Sequence, residues 1–525
     1  MRIIDLFDRG ASIARDRVCT LDHETGRCRT YAQVQRASHA IACGLQASGV
    51  VPEQTQVAVW SPNCGRAVEA VLGVLRSGAV WAPVNSRNAP GDIAYLLDGN
   101  DVEILLVHRD YAAPLAEVLA ACPKIRRVVW LERGERPGEA SIDDWLEAFP
   151  GDAATVSYRP DSPMAIFGSG GTTGRPKGVV HSHRMWECLA VNVLTSMAPR
   201  SPSPVHLVVA PMTHAAGALG LPLLAVGATQ VLMKQFDAAA VLRAIGSHGV
   251  THLFLPPTAV YMLLARADVR SHDFGSLEYF VYAAAPMSVE KIREAIEVFG
   301  PVMVQTYGQT EAGPLIGTFF SAAAHVHALA HRPERLAACG QATLLTRVRI
   351  VDDEGRTLPP GERGEIAIGG DFTMSGYYRN PGATQEVRRG EWILTGDVGR
   401  MDEDGFVYIV DRKREMVITG GFNVYPGEIE QVVFTHPGVQ DCAVIGVPDE
   451  KWGEAVKAIV QLKPDVRACP QVADEIVALC RARLGSVMAP KSVDFWPELP
   501  KSAVGKVVRR VVRERFWAGR DRTLV

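Results

Sequence analysis

A chain of 525 residues exceeds what one hydrophobic core supports and sets an expectation of three or four domain-sized units. Its 47% hydrophobic and 22% charged residues are those of a soluble globular protein, and a formal charge of -3 gives no global attraction to nucleic acid or to an anionic membrane. The opening "MRIIDLFDRGASIARDRV" meets charges before an apolar signal region can form, and no apolar run reaches membrane-spanning length. The ten cysteines lie scattered without a CxxC pair, which points to reduced thiols and a cytoplasmic setting.

Along the chain, "TYAQVQRASHAIACGLQASGV" spaces its apolar residues as a helix does, while "QVAVW", "EILLV" and "RRVVWL" are short runs suited to buried strands. "LVVAPM", "THLFLP", "EYFVYAAA" and "VMVQTY" continue the alternation, and Ser288 is placed to cap a helix over Val289 to Val298. Parallel strands with helices on their faces follow from that pattern. After about residue 340 the texture changes to "RVRIVDDEGRTL", "GEIAIGG" and "FVYIVDRKREMVI", where Asp/Gly turns separate β-rich runs. The last hundred residues read as an α+β unit, with strands at "CAVIGV" and "VKAIVQL" and a helix from Val472 to Leu484 stopped by Gly485. The expected fold class is α/β: a large multi-layer unit over 1–410 with a smaller β-rich part, then an α+β unit over 411–525.

One loop concentrates unusual chemistry. "GSGGTTGRPKG", Gly168 to Gly178, surrounds three hydroxyls and a lysine with glycine, a composition that lets backbone amides approach a phosphate. It is not a Walker A loop, since Lys177 is followed by Gly178 and Val179. It is not a dinucleotide fingerprint either, since Thr173 stands where a third glycine is required. A different phosphate binder and a surface turn both remain. Five more strings gather glycine, hydroxyls, charge and aromatics near probable strand ends, where ligands collect in open α/β sheets. They are "PMTHAAG" (Pro211 to Gly217), "YGQTE" (Tyr307 to Glu311), "TGD" (Thr395 to Asp397), "DRKREMVITGGFNVYPGEIE" (Asp411 to Glu430) and "PKSAVGK" (Pro500 to Lys506).

With these six strings in this order, the chain resembles the adenylate-forming superfamily of acyl-CoA synthetases, firefly-type luciferases and nonribosomal peptide synthetase adenylation domains. The resemblance, from about Thr30 to Lys506, implies a large N-terminal domain and a small mobile C-terminal lid. It implies that Ser169, Gly170, Gly171, Thr172, Thr173, Gly174 and Lys177 cover the phosphates of ATP, with Ser169 and Gly170 departing from the family's usual Thr-Ser at the first two positions. Tyr307, Gly308 and Ala284 would frame the adenine, and Asp397 and Arg412 would hold the ribose. Thr310 would meet the α-phosphate, Glu311 would bind Mg²⁺, and Lys506 would bridge carboxylate and phosphate during adenylation. His214, Ala215, Gly217, Ala283 and Thr306 would line the acyl pocket, His214 acting as a gate, and the small residues around it, Ala215, Ala216, Gly217, Ala283 and Ala284, hint at a roomy apolar pocket. Arg414 would be the hinge, and Gly420 and Gly421 would line the passage for the CoA arm.

The implied reaction is ATP-dependent ligation of a fatty, alicyclic or aromatic carboxylic acid to CoA through an acyl-adenylate, by a chain that is a monomer or a homodimer. Delivery of the acyl group to a separate carrier protein is the nearest alternative. A luciferase-type monooxygenase and a catalytically dead nucleotide binder are the others. Asp237 in "QFDAA" suggests an ammonium partner for an amino-acid substrate, but by the same resemblance ligases of other acids carry it too.

Overall fold

The computed structural model describes residues 1–134, 138–151, 154–169, 176–285, 287–501 and 507–517. Two large sheets organise the first part of the chain. A seven-stranded sheet runs in the order Arg127–Trp130, Val102–Val107, Gln56–Trp60, Val80–Pro83, Pro163–Gly168, Gly178–Ser182 and Gly376–Tyr377; the first five strands are parallel and the last two antiparallel. A nine-stranded sheet has a parallel centre formed by Val18–Asp22, Thr229–Leu232, Val205–Val208, His252–Leu255, Tyr279–Tyr282 and Met303–Tyr307.

The two-residue period of these strands builds the layers. Val57 and Val59 enter a core that also holds Val208, Leu232, Phe254, Val281 and Val304 of the other sheet, whereas Ala58 and Trp60 pack with Leu97 and Leu105 on the opposite face. Leu207, Val231 and Leu253 form a third core on the far side of the nine-stranded sheet. Between the sheets lies the helix Gly65–Ser77, buried on all sides except at Arg66, and therefore apolar around most of its circumference. Its neighbour Tyr31–Ala47 begins in a capping box, with the Thr30 hydroxyl accepting the Gln33 amide and the Gln33 side chain accepting the Thr30 amide.

The elements expected from the sequence form with small shifts. Ser288 caps Val289–Phe299. Gly485, at φ 83°, interrupts the helical segment Pro470–Met488 at the expected stop. "LVVAPM" is a strand only as far as Val208, after which the chain leaves the sheet as a loop. Asp237 caps the helix Ala238–His248 through the Ala240 amide at 2.7 Å, a structural use that accounts for it without a substrate ammonium.

A five-stranded antiparallel sheet follows, built from Arg347–Val351, Gly364–Gly369, Arg388–Arg389, Trp392–Met401 and Val407–Arg412. Sheet membership then changes: Val417–Thr419, Phe422–Val424, Val439–Asp449, Gly453–Leu462 and Ser492–Phe495 make a separate sheet with its own core under helices Pro426–Val433 and Pro470–Met488. None of the ten cysteines, all described, forms a disulfide. Among the described residues no helix is long and apolar enough to cross a membrane.

Candidate active site

The C-terminal ends of the parallel strands carry most of the expected residues. Met303–Tyr307 delivers Tyr307, whose hydroxyl donates to Asp397 Oδ2 at 2.7 Å. Asp397 lies in Trp392–Met401 directly opposite Arg412 in the antiparallel register, and Arg412 Nε donates to its other oxygen at 2.6 Å. Asp397 is only 3% exposed, so these two donors and the fixed backbone around it are what make a buried carboxylate tolerable. Burial and the adjacent Asp397 charge hold the Tyr307 phenol well above its usual range, keeping it a neutral donor. Gln309 fastens the same corner by donating to the Thr395 carbonyl at 3.1 Å.

A second group of side chains lies around the glycine-rich loop. Gly168 and Gly178 pair across the antiparallel strands that flank it, and Ser169 closes its base: the Ser169 amide donates to the Lys177 carbonyl and Ser169 Oγ accepts the Lys177 amide, both at 2.8 Å. Gly170, Gly171, Thr172, Thr173 and Gly174 lie outside the described residues. The Lys177 ammonium stands 4.8 Å from the centre of the Tyr377 ring, and the Tyr377 hydroxyl donates to Glu311 Oε1 at 3.0 Å. One tyrosine thus joins the loop lysine to the carboxylate of "YGQTE". Thr310 is fixed from behind. His181 Nδ1 accepts from the Trp186 indole at 3.1 Å, so its Nε2 carries the proton and donates to the Thr310 carbonyl at 2.7 Å. Burial pushes the His181 pKa down to about 4, which keeps that arrangement neutral.

The residues expected at the acyl wall sit as follows. His214 precedes the helix Ala215–Leu223, and its Nδ1 donates to the Thr213 carbonyl at 2.7 Å, leaving Nε2 as the acceptor. The ring presents open surface yet is surrounded by protein, and that environment, with Arg87 nearby, lowers its pKa below the usual imidazole value. Ala283 is buried beside Val281 and Val304 in the core between the sheets, and Ala215 packs at its margin. Thr306 is 2% exposed, and its hydroxyl has no hydrogen-bond partner among the described residues.

Gly217 has a steric reason of its own. A Cβ there would lie 1.8 Å from the Met212 carbonyl oxygen, so its missing side chain admits the preceding turn rather than a ligand. A Cβ on Gly308 would likewise fall 1.8 Å from the Gly313 carbonyl oxygen. Ala284 is exposed and left-handed at φ +74°, a conformation that costs an L-residue about 1–2 kcal/mol.

Comparison with known proteins gives this geometry its family. Residues 7–378 match the family model described as AMP-binding enzyme, and 428–506 match the AMP-binding enzyme C-terminal domain. The chain belongs to the AMP-binding enzyme family, in its acyl-CoA synthetase branch. It is similar to a feruloyl-CoA synthase from Amycolatopsis sp, 35% identical over 495 residues covering 94% of each chain. It is also similar to the fatty acid–[acyl-carrier-protein] ligase ScoC of Streptomyces coeruleorubidus, 32% identical over 94% of this chain and 92% of ScoC. Among solved structures it resembles the amide bond synthetase McbA from Marinactinospora thermotolerans, with TM-score 0.87 and 30% identity over 98% of this chain and all of McbA.

In this synthetase the C-terminal unit begins at a short turn, Lys413–Glu415, that contains the exposed Arg414. Gly420 and Gly421, at φ 57° and 81°, form a two-residue hairpin between Val417–Thr419 and Phe422–Val424. Both need the left-handed region, so the turn by itself accounts for the glycine pair. Lys506 lies outside the described residues. The residues that sequence reasoning missed are His181, Trp186 and Tyr377. His181 had a weak signal, a histidine at an inward position of an apolar strand. Tyr377 had none, because it reaches Glu311 through pairing with Val179, nearly two hundred residues earlier in the chain.

Proposed function

We propose that this synthetase activates an apolar carboxylic acid, fatty, alicyclic or aromatic, as its acyl-adenylate and then transfers the acyl group to CoA. The observation that carries this reading is the convergence of Tyr307, Asp397 and Arg412 with Lys177, Tyr377, Glu311 and Thr310 along one strand-end edge. Asp397, held by Tyr307 and Arg412, is the acceptor for the ribose hydroxyls. Lys177 meets the phosphates, and Thr310, held by His181, donates toward the α-phosphate. A carboxylate oxygen of Glu311 is a hard donor that suits Mg²⁺, an ion that binds through one or two carboxylates plus substrate phosphates and needs no larger protein cage. Its role is to neutralise phosphate charge.

Lys506 supplies the cation between the two anions that must meet in adenylation, where a positioned ammonium stabilises the transition state. The lid, divided from the rest near Asp411, turns about Arg414 after pyrophosphate leaves, bringing Gly420 and Gly421 to the passage for the CoA arm. His214 stands at the junction of acyl group and thiol. We place the enzyme in the cytoplasm, where its thiols stay reduced. Likeness to the carrier-protein ligase supports a second reading, in which the acceptor thiol is that of a carrier protein. Pyrophosphate release from MgATP across fatty, aromatic, alicyclic and amino acids, each with and without CoA, tests both. CoA-dependent turnover on an apolar acid is expected; release that stalls near one equivalent per enzyme and ignores CoA refutes CoA as acceptor.

A further inference from the structure

Both stems of the glycine-rich loop rest on one short segment, Leu96 to Asn100, at the end of the helix Pro90–Gly99. A Cβ on Gly168 would lie 3.2 Å from both methyl groups of Leu96, and a Cβ on Gly178 would lie 2.3 Å from Asn100 Oδ1. Gly178 therefore sits where it does because it has no side chain. Asn100, 5% exposed, also donates from Nδ2 to the Ile166 carbonyl at 3.5 Å.

Asp101 comes next, left-handed at φ 53°, and its carboxylate gathers three donors. Lys124 Nζ meets Oδ1 at 2.9 Å, and Arg379 Nη2 and the Tyr378 hydroxyl meet Oδ2 at 2.9 and 2.8 Å. Gln56 Nε2 donates to the same Tyr378 hydroxyl at 3.3 Å. Arg379 is left-handed too, at φ 50°, so two residues that disfavour this backbone region face each other through an ion pair and are held there by their contacts. Burial acts to raise the Asp101 pKa, but the hydrogen bonds from Lys124 and Tyr378 outweigh it and hold the carboxyl below its usual value, so it is an anion at neutral pH.

The consecutive residues Tyr377 and Tyr378 reach different neighbours. Tyr378 is tied at both ends: its amide donates to the Gly178 carbonyl at 2.7 Å, and its hydroxyl runs to Asp101. Tyr377 carries the Lys177 ammonium over its ring and donates its hydroxyl to Glu311. One peptide bond thus joins an anchored tyrosine to the tyrosine that links the loop lysine and the "YGQTE" carboxylate.

We propose that Asp101 is a positioning residue for adenylation: by fixing Tyr378 against Gly178 it sets Tyr377 where its ring meets Lys177 and its hydroxyl meets Glu311. The assignment rests on the adenylation half of the ligase reading and is independent of the acceptor thiol, because pyrophosphate exchange needs no acceptor.

The test compares Asp101→Gly, Asp101→Asn and Tyr378→Phe with the unmutated full chain in acid-dependent ATP–pyrophosphate exchange, urea unfolding and amide deuterium uptake. Glycine suits a left-handed position better than aspartate does, so Asp101→Gly removes the carboxylate and leaves the turn at ease. Asp101→Gly and Tyr378→Phe should each slow exchange by about fivefold to tenfold, the range of one hydrogen bond of ordinary net strength, and speed deuterium uptake over residues 376–380. Asp101→Asn keeps an acceptor oxygen for Tyr378 and should stay within about threefold of the unmutated rate. In a Tyr377→Leu background, where both contacts are already lost, Asp101→Gly should slow exchange by less than about twofold more. Unchanged exchange in Asp101→Gly overturns the proposal and leaves Asp101 a turn residue. A full, multiplicative loss in the Tyr377→Leu background overturns it as well, since Asp101 would then not act through Tyr377, and so does Asp101→Asn no faster than Asp101→Gly. A lowered urea midpoint that accounts for the lost rate has the same force. If the unmutated chain exchanges no pyrophosphate with any acid, the adenylation reading fails; faster uptake at 376–380 in Asp101→Gly still shows that Asp101 holds Tyr378, and unchanged uptake overturns that also.

Discussion

The Asp397 corner and the Arg509 cluster both draw on the strand Val407–Arg412 and use opposite charge ratios. At the corner one buried carboxylate, Asp397, serves two donors, Tyr307 and Arg412. At the cluster three carboxylates, Asp411, Glu415 and Glu430, serve one guanidinium, Arg509. The first sets protein donors on both oxygens of one carboxylate. The second gathers carboxylates from a strand, a turn and a helix around one guanidinium, with the Gly427 and Val444 amides donating to Asp411 and Glu430.

The largest expected effect separates the two regions by pH. His181, His206 and His325 are buried on the N-terminal side, with pKa values pushed down to about 4 by burial. Below the ordinary histidine value of 6.5 the unfolded chain takes up protons that the folded chain refuses. Stability is therefore intact above that pH and falls toward pH 4, at about 1.4 kcal/mol per histidine per pH unit, or roughly 4 kcal/mol per unit for the three. Glu430 has the opposite sign: its folded pKa is raised, so its burial penalty is relieved as pH falls. Urea unfolding at pH 7.0 and 5.5, followed by proteolysis of each part, should show the N-terminal unit weakening first. Loss of the lid before it would break the comparison.

Next in size, Asp397→Ala leaves Tyr307 and Arg412 without their shared acceptor and should lower kcat/KM for ATP by about 100-fold, or about 3 kcal/mol. Initial rates at varied ATP would check it; a change confined to the CoA step would move Asp397 from the nucleotide corner to the lid. Gly217→Ala drives a methyl group onto the Met212 carbonyl and should destabilise the N-terminal unit by about 2 kcal/mol in urea unfolding. An unchanged midpoint would restore Gly217 to the substrate wall.

Tyr377→Phe removes the hydroxyl donated to Glu311 and should cost about 1 kcal/mol, near fivefold in adenylation rate, with thioester formation from acyl-AMP unchanged. Smallest is Ala284→Gly. It relieves the left-handed strain and gives back part of the gain as chain entropy, so stability should rise by a few tenths of a kcal/mol; a fall would show that the φ of +74° carries no strain.

The sequence by itself determined the layering and the family. A two-residue period placed Val57 and Val59 on one face and Ala58 and Trp60 on the other, and local chemistry set the Thr30 and Ser288 caps and the stop at Gly485. Such signals are legible because they act over one turn of helix or one repeat of a strand. The motif strings likewise marked Tyr307, Glu311, Asp397 and Arg412. Only the tertiary structure decided what those residues touch: that Asp397 faces both Tyr307 and Arg412, that Tyr377 ties Lys177 to Glu311, that Gly217 yields to a carbonyl, and that Asp411 turns away from its neighbour to meet Arg509. These contacts join residues tens to hundreds of positions apart. They are set by sheet register and by the packing of separate elements, for which no local pattern of side chains carries a signal.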